Sequence, residues 1–188
     1  MGEEGLYRMK ITLRGSKPAI WRRFEVPAEV TLYQLHHILQ VVMGWTDSHF
    51  HQFRRGNECY GPSDPEFASE RVNERKVRLR EVLRKTKDRM VYEYDFGDGW
   101  EHDLLLEAIG SVSPGSQMVK VLKGQGACPP EDVGGIGGYY DFLEAVSDRK
   151  HPSHRHMLEW CDGPFDTEAF DLAGINQALA KILRRRDA

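Results

Sequence analysis

The stretch VYEYDFGDGWEHDLLLE, residues 91–107, constrains this chain more than any other. Two alternating runs flank Gly97-Asp98-Gly99, and glycine tolerates the positive φ angles of tight turns, so a β-hairpin is expected with that triplet as its turn. A three-residue turn puts Phe96 opposite Trp100, Tyr94 opposite His102 and Tyr92 opposite Leu104, all on one aromatic and apolar face that carries a single imidazole. The other face would set Glu93 opposite Asp103 and Asp95 opposite Glu101, and like charges directly across a ladder repel. Basic side chains from a neighbouring element, or a bound cation, must therefore cover that face. Asp98 and His102, at the end of a rigid hairpin, are also placed to be presented to a ligand.

Upstream, residues 6–13 alternate Tyr7, Met9, Ile11 and Leu13 with Arg8, Lys10 and Thr12, the pattern of a half-buried strand. Its basic side is a candidate cover for the hairpin's acids. Residues 20–26, with Trp21, Arg22 and Arg23, predict a second strand antiparallel to it. Thr31 and Gln34 then form a capping box, and Leu32, Leu35, Ile38, Leu39, Val42 and Met43 make one apolar stripe that ends at Gly44. That is an amphipathic helix. His36 and His37 fall beside the stripe, at a boundary or on the surface.

In WTDSHFHQFRRGNECY, residues 45–60, His49, His51 and Phe53 alternate with Phe50 and Gln52. On a strand His49 and His51 share a face, where they either hydrogen-bond across the sheet or offer two imidazoles to one metal. Residues 61–74 are polar with two prolines and predict a long, mobile loop. Arg71, Arg75, Lys76, Arg78, Arg80, Arg84, Lys85, Lys87 and Arg89 follow closely; such a run is a solvated face or a dock for an anion.

Past the hairpin, a turn at 111–115 and a strand at 119–122 lead to GQGACPPEDVGGIGGYYDFLEAV. Glycines 134, 135, 137 and 138 precede a helix whose buried side is Tyr139, Phe142, Leu143 and Val146. The spacing is neither GxGxxG nor GxxxxGK, and Glu131 and Asp132 would repel an anion, so a tight structural turn fits better than a phosphate loop, with a metal or hydrogen-bonding corner between the two. Cys128 before two prolines is a buried thiol, a metal ligand or a redox-sensitive group. His151, His154 and His156 open a short peripheral helix without HExxH spacing, and a last helix over 171–185 ends in a basic run that suits its dipole.

The chain has 188 residues and a formal net charge of −3, enough for one packed domain and without the strong basic surface of a generic DNA binder. No apolar run nears the roughly 20 residues that cross a bilayer, and the start lacks a signal-peptide pattern, so a cytoplasmic address and no membrane partner are expected. The 3 cysteines, widely spaced and without CxxC, exclude a disulfide framework and a zinc ribbon.

The motifs PAIWRRFEVP, LHHILQVVMGWTDSHFHQF, YEYDFGDGWEH and CPPEDVGGIGGYYDFL, in that order, make the sequence similar to the plasmid pRiA4b ORF-3-like family across nearly its whole length. The resemblance implies an α+β fold and a link to plasmids and mobile elements; the family is uncharacterised and is also labelled an insertion-element passenger, some relatives carrying a TnpR resolvase label. This sequence contains no stretch resembling a serine recombinase catalytic domain or its DNA-reading module.

The expected architecture is a single α+β domain over 1–188: a mostly antiparallel sheet with helices packed on one face, and a helical C-terminal part from about residue 137. Two functions fit. One is a binding or accessory module whose groove, lined by Trp45, Tyr94, Trp100 and the histidines, takes a protein or nucleic-acid partner. The other is a metal-dependent enzyme, hydrolytic or nucleic-acid processing, in which His49, His51, Asp98 and His102 hold a divalent transition metal and Glu131 or Asp132 is the base. Cys128 belongs to the same set of candidate binding residues.

Overall fold

The computed structural model describes residues 5–62, 71–111 and 119–184. Its strands are β1 (Gly5–Leu13), β2 (Trp21–Pro27), β3 (His51–Arg55), β4 (Glu58–Gly61), β5 (Arg71–Asn73), β6 (Arg89–Tyr94), β7 (Trp100–Ser111) and β8 (Lys120–Gln125). Its helices are α1 (Leu32–Met43), α2 (Leu79–Val82), α3 (Gly135–Ser147), α4 (His154–Trp160) and α5 (Leu172–Arg184), with a 3-10 turn at Glu74–Lys76. Among the described residues the strands form one 8-stranded sheet, ordered β5-β4-β3-β6-β7-β1-β2-β8. Its pairs are antiparallel except β4 with β5.

Alternation builds the core. Met9, Ile11, Phe24, Phe53, Tyr92, Tyr94, Leu104 and Leu106 are fully buried on the face that the helices cover. The capping box forms as expected, with the Thr31 hydroxyl accepting from Gln34 N and the Gln34 side chain accepting from Thr31 N. At the β8 edge, Asn176 of α5 pairs with the Val121 backbone as a neighbouring strand would, accepting from its N–H (2.8 Å) and donating to its carbonyl (3.0 Å). That covers an edge otherwise open to another chain. None of the helices of the described residues is long and apolar enough to cross a membrane.

The hairpin exists with a different turn. Tyr94 pairs with Trp100, Tyr92 with His102 and Met90 with Leu104, so the connection spans residues 95–99. Asp95 takes a left-handed conformation (φ 55°), and its Oδ1 accepts from Gly97 N and Asp98 N, which ends the strand two residues early and turns Phe96 outward. A slip of two keeps the parity of the pleat, so the aromatic face survives the error.

The acidic face changes with the register: Glu93 now opposes Glu101, and Asp95 has left it. Its cover is Arg54, which pairs with Glu93 and Glu101, and Arg14, which meets Glu101 at 2.8 Å and Asp103 at 2.7 Å. The expected cover, Arg8 and Lys10, is engaged elsewhere, Arg8 on Glu25 and Lys10 over the Trp21 ring. Within the span expected to be a loop, Arg71–Asn73 forms β5 and 63–70 lie outside the described residues, as do 112–118 of the expected turn. Of the glycines only Gly134 precedes α3, as its N-cap; Gly135, Gly137 and Gly138 lie in its first turn.

Candidate metal centre

Three loops meet at one end of the sheet: residues 44–50 after α1, residues 95–99 of the hairpin, and residues 126–134 before α3. Polar latches hold them together. Glu131 Oε1 accepts from Thr46 N (2.7 Å), Thr46 Oγ1 (2.9 Å) and Tyr94 OH (3.1 Å), and Tyr94 OH in turn accepts from Ser48 N (3.0 Å). Burial, with Glu131 beside it, pushes the Tyr94 phenol well above its ordinary range, so it remains a donor. Asp98 Oδ2 accepts from Gly134 N at 3.0 Å. Gly135 has φ +67°, and a Cβ there would overlap the Asp98 carbonyl oxygen, so only glycine lets the two loops approach so closely.

Inside this frame His49 Nε2 lies 3.0 Å from Asp132 Oδ1, 3.6 Å from Asp95 Oδ2 and 3.9 Å from Glu131 Oε2. One ligand atom each from His49, Asp95 and Asp132 fall within 4.8 Å of one another. Two atoms bound about 2.1 Å from a tetrahedral metal are separated by about 3.4 Å, so the distances from His49 to Asp132 and Asp95 bracket a coordination edge, with Glu131 Oε2 somewhat beyond it. Asp95 and Asp132, the two aspartates that approach His49, both hold left-handed backbone (φ 55° and 58°). The Asp132 carboxylate is 71% exposed, which leaves the far side open to a further ligand.

The four expected metal ligands do not converge. His49 precedes β3 rather than lying in it, so it does not share a strand face with His51. His51 turns instead to Glu74, at 2.8 Å, and packs on His36. His102 is fully buried, its Nδ1 on the Tyr92 carbonyl (3.2 Å), and burial lowers its pKa to about 4. Asp98 is spent on Gly134. Glu131, expected as a base, is fixed through Oε1 by donors on Thr46 and Tyr94 while its Oε2 faces His49, and Asp132 stays open.

Nor do the aromatics line a groove. Trp45, Tyr94 and Trp100 are 6%, 0% and 1% exposed, and the Trp45 ring packs on both of the others at 5.3 Å; they are the wall on which the loops sit. Cys128 packs under Gly44, and burial raises its thiol pKa, which makes it a poor nucleophile or ligand.

Sequence reasoning missed Asp95 as a candidate ligand, treating it as a strand residue, although aspartate just before a glycine-rich turn is one of the few types that enters left-handed backbone readily. It also placed His36 at a boundary. His36 is buried, with Nε2 on Asp47 (2.7 Å) and Nδ1 on Tyr92 OH (2.8 Å), and Gln40 completes the network by donating to Tyr92 OH (2.8 Å).

The sequence model of the plasmid pRiA4b ORF-3-like proteins matches residues 5–174. The chain is 39% identical over 178 residues to "Uncharacterized protein y4hQ" of Sinorhizobium fredii, covering 92% of this chain and 89% of that one. Its fold is similar to the crystal structure of a protein of unknown function, MM3350 from Methanosarcina mazei Go1, with a TM-score of 0.82, 33% identity, and coverage of 91% of this chain and 97% of the other.

Proposed function

Since the chain belongs to the plasmid pRiA4b ORF-3-like family, whose motifs supply all three of the converging loops, we propose that it is a metal-dependent binding module built around His49, Asp95 and Asp132. The observation that carries this reading is the approach of three ligand atoms from three separate loops to within 4.8 Å. One imidazole and two carboxylates form a donor set for a divalent first-row transition metal such as Zn²⁺ or Mn²⁺. Coordination positions left by three protein ligands would be filled by water and by a Lewis-basic group of the partner. Binding is favoured over hydrolysis because Asp98 is held by Gly134 N and Glu131 is fixed to Thr46 and Tyr94 through Oε1; a hydrolytic role would fall to Glu131 Oε2, 3.9 Å from His49 Nε2, as its base.

The test is metal content of protein purified without a histidine tag, followed by titration of the chelator-treated protein with Zn²⁺ and Mn²⁺. One ion per chain at micromolar or tighter affinity is expected, falling at least about 10-fold in both His49→Ala and Asp95→Asn, with the unfolding transition of each metal-free variant kept. Asparagine tolerates the left-handed backbone at 95, so that variant removes a charge without breaking the turn. Unchanged stoichiometry and affinity in both variants would exclude the site.

A further inference from the structure

Asp132 also stands on the wall of a cleft of about 560 Å³ between α3 and α4, a volume in the range of small-ligand sites. Helical spacing makes its walls: Asp141 and Glu144 lie one turn apart on α3 beside buried Phe142, while Met157 and Trp160 lie one turn apart on α4. The Phe142 and Trp160 rings meet edge to face at 5.9 Å, and Trp160 is 42% exposed although it is the largest apolar side chain of its helix. His154 Nδ1, 2.9 Å from the Ala145 carbonyl, ties the two helices together.

The permanent charges of this cleft have one sign. Asp132, Asp141 and Glu144 line it and no lysine or arginine does; the imidazoles of His151 and His156 are its other titratable groups, and among the described residues neither Asp141 nor Glu144 has an ion-pair partner, whereas Asp132 lies 3.0 Å from His49. The α3 N-terminus offers about half a positive charge in opposition, which three carboxylates outweigh. An anion is thus repelled. A bare metal ion would use the carboxylates and leave the exposed indole without a part, whereas a cation on an apolar stem uses both: charge against carboxylates and the indole face, stem against Met157 and Phe142.

We propose that the cleft binds an organic cation, a protonated amine or guanidinium carried on an apolar chain. It does not rest on the metal reading, with which it shares only Asp132.

The experiment is calorimetric titration of the full chain, in the presence of a chelator, with cadaverine, agmatine, a lysine-containing tripeptide and the neutral comparator 1-pentanol. The amines are expected to bind and 1-pentanol not. Asp141→Asn with Glu144→Gln should weaken amine binding about 10-fold or more, and Trp160→Leu about three- to fivefold, at unchanged unfolding midpoint. Tighter binding of the tripeptide would identify a side chain of a partner protein as the source, and tighter binding of cadaverine or agmatine a free amine; both support the cleft. Absence of amine binding at millimolar concentration, equal affinity for 1-pentanol, or full affinity in the double charge variant would overturn it. Amine binding that appears only when metal is restored would move the ligand to the metal centre and overturn the cleft while sparing the metal.

Discussion

His36 and His51 lie face to face, their ring centroids 3.4 Å apart and their planes within 3° of parallel. Each imidazole has a carboxylate at its outer end, Asp47 on His36 and Glu74 on His51. The stack joins α1 to β3, and a second positive charge inside it would meet the first at van der Waals distance.

Acid should therefore unfold the protein before its carboxylates titrate. Burial, reinforced by the neighbouring His51, holds His36 at about 3, and burial holds His102 at about 4, against an ordinary 6.5. Both pKa values are depressed on folding, so their contribution is intact above about pH 6.5 and is lost as pH falls toward the folded values, because the unfolded chain takes up the protons first. By about pH 5 each removes on the order of 2 kcal/mol. Glu101 and Glu107, lowered by Arg14 and Arg23 respectively, act with the same sign but only below about pH 4.5. Denaturant midpoints measured from about pH 7 down to about pH 5 should fall steadily, and His102→Met should remove roughly half of that slope. A flat profile for the unsubstituted protein would contradict the neutral histidines.

Arg54 separates Glu93 from Glu101 across the ladder. Arg54→Ala should cost about 1 kcal/mol, a modest figure because these side chains are about one-third exposed or less and water screens them. Adding Glu101→Gln should restore most of the loss. Urea titrations of the two single variants and the double variant measure that coupling, and additive effects would show that Arg54 does not act through this pair.

Arg22 is 2% exposed and among the described residues pairs with no carboxylate; it donates to the carbonyls of Trp21 (2.9 Å), Gln125 (2.7 Å) and Gly126 (2.7 Å) and stacks on Phe170 at 4.6 Å. Lysine keeps the charge but lacks the planar fork that spans both Gln125 and Gly126. Arg22→Lys should cost about 2 kcal/mol, and Arg22→Met a similar amount through orphaned carbonyls, read from chemical denaturation. A lysine variant of unchanged stability would show that charge alone suffices.

Gly135→Ala is expected to cost roughly 1–3 kcal/mol, since the new methyl meets the Asp98 carbonyl and the residue holds positive φ. Gly137→Ala, two residues on and with open space around it, should be neutral or slightly stabilising. Equal unfolding midpoints for the two variants would mean that the hairpin loop moves aside freely.

Elements with strong periodicity were legible: α1 with its capping box, β1, β2 and the aromatic side of the hairpin all follow from residue spacing. The hairpin turn was not, because Asp95 closes its own turn on Gly97 and Asp98, a local choice that competes with continuing the strand. His36 was misplaced for a different reason. On a helical wheel it sits beside the stripe, and what makes burial affordable is Tyr92, 56 positions away, together with Asp47. The candidate metal centre was half visible: His49 and Asp132 stood out as types, but only the contacts of Glu131 with Thr46 and of Asp98 with Gly134 decide which residues meet.

The sheet order has a consequence for how this protein is made. β1 lies between β2 and β7, so one flank finds its neighbour almost at once while the other waits for Trp100–Ser111 to leave the ribosome. Until then the backbone groups on that flank of β1 have no strand partner, and the centre of the sheet closes only through a pairing of long sequence separation, the slowest kind to form.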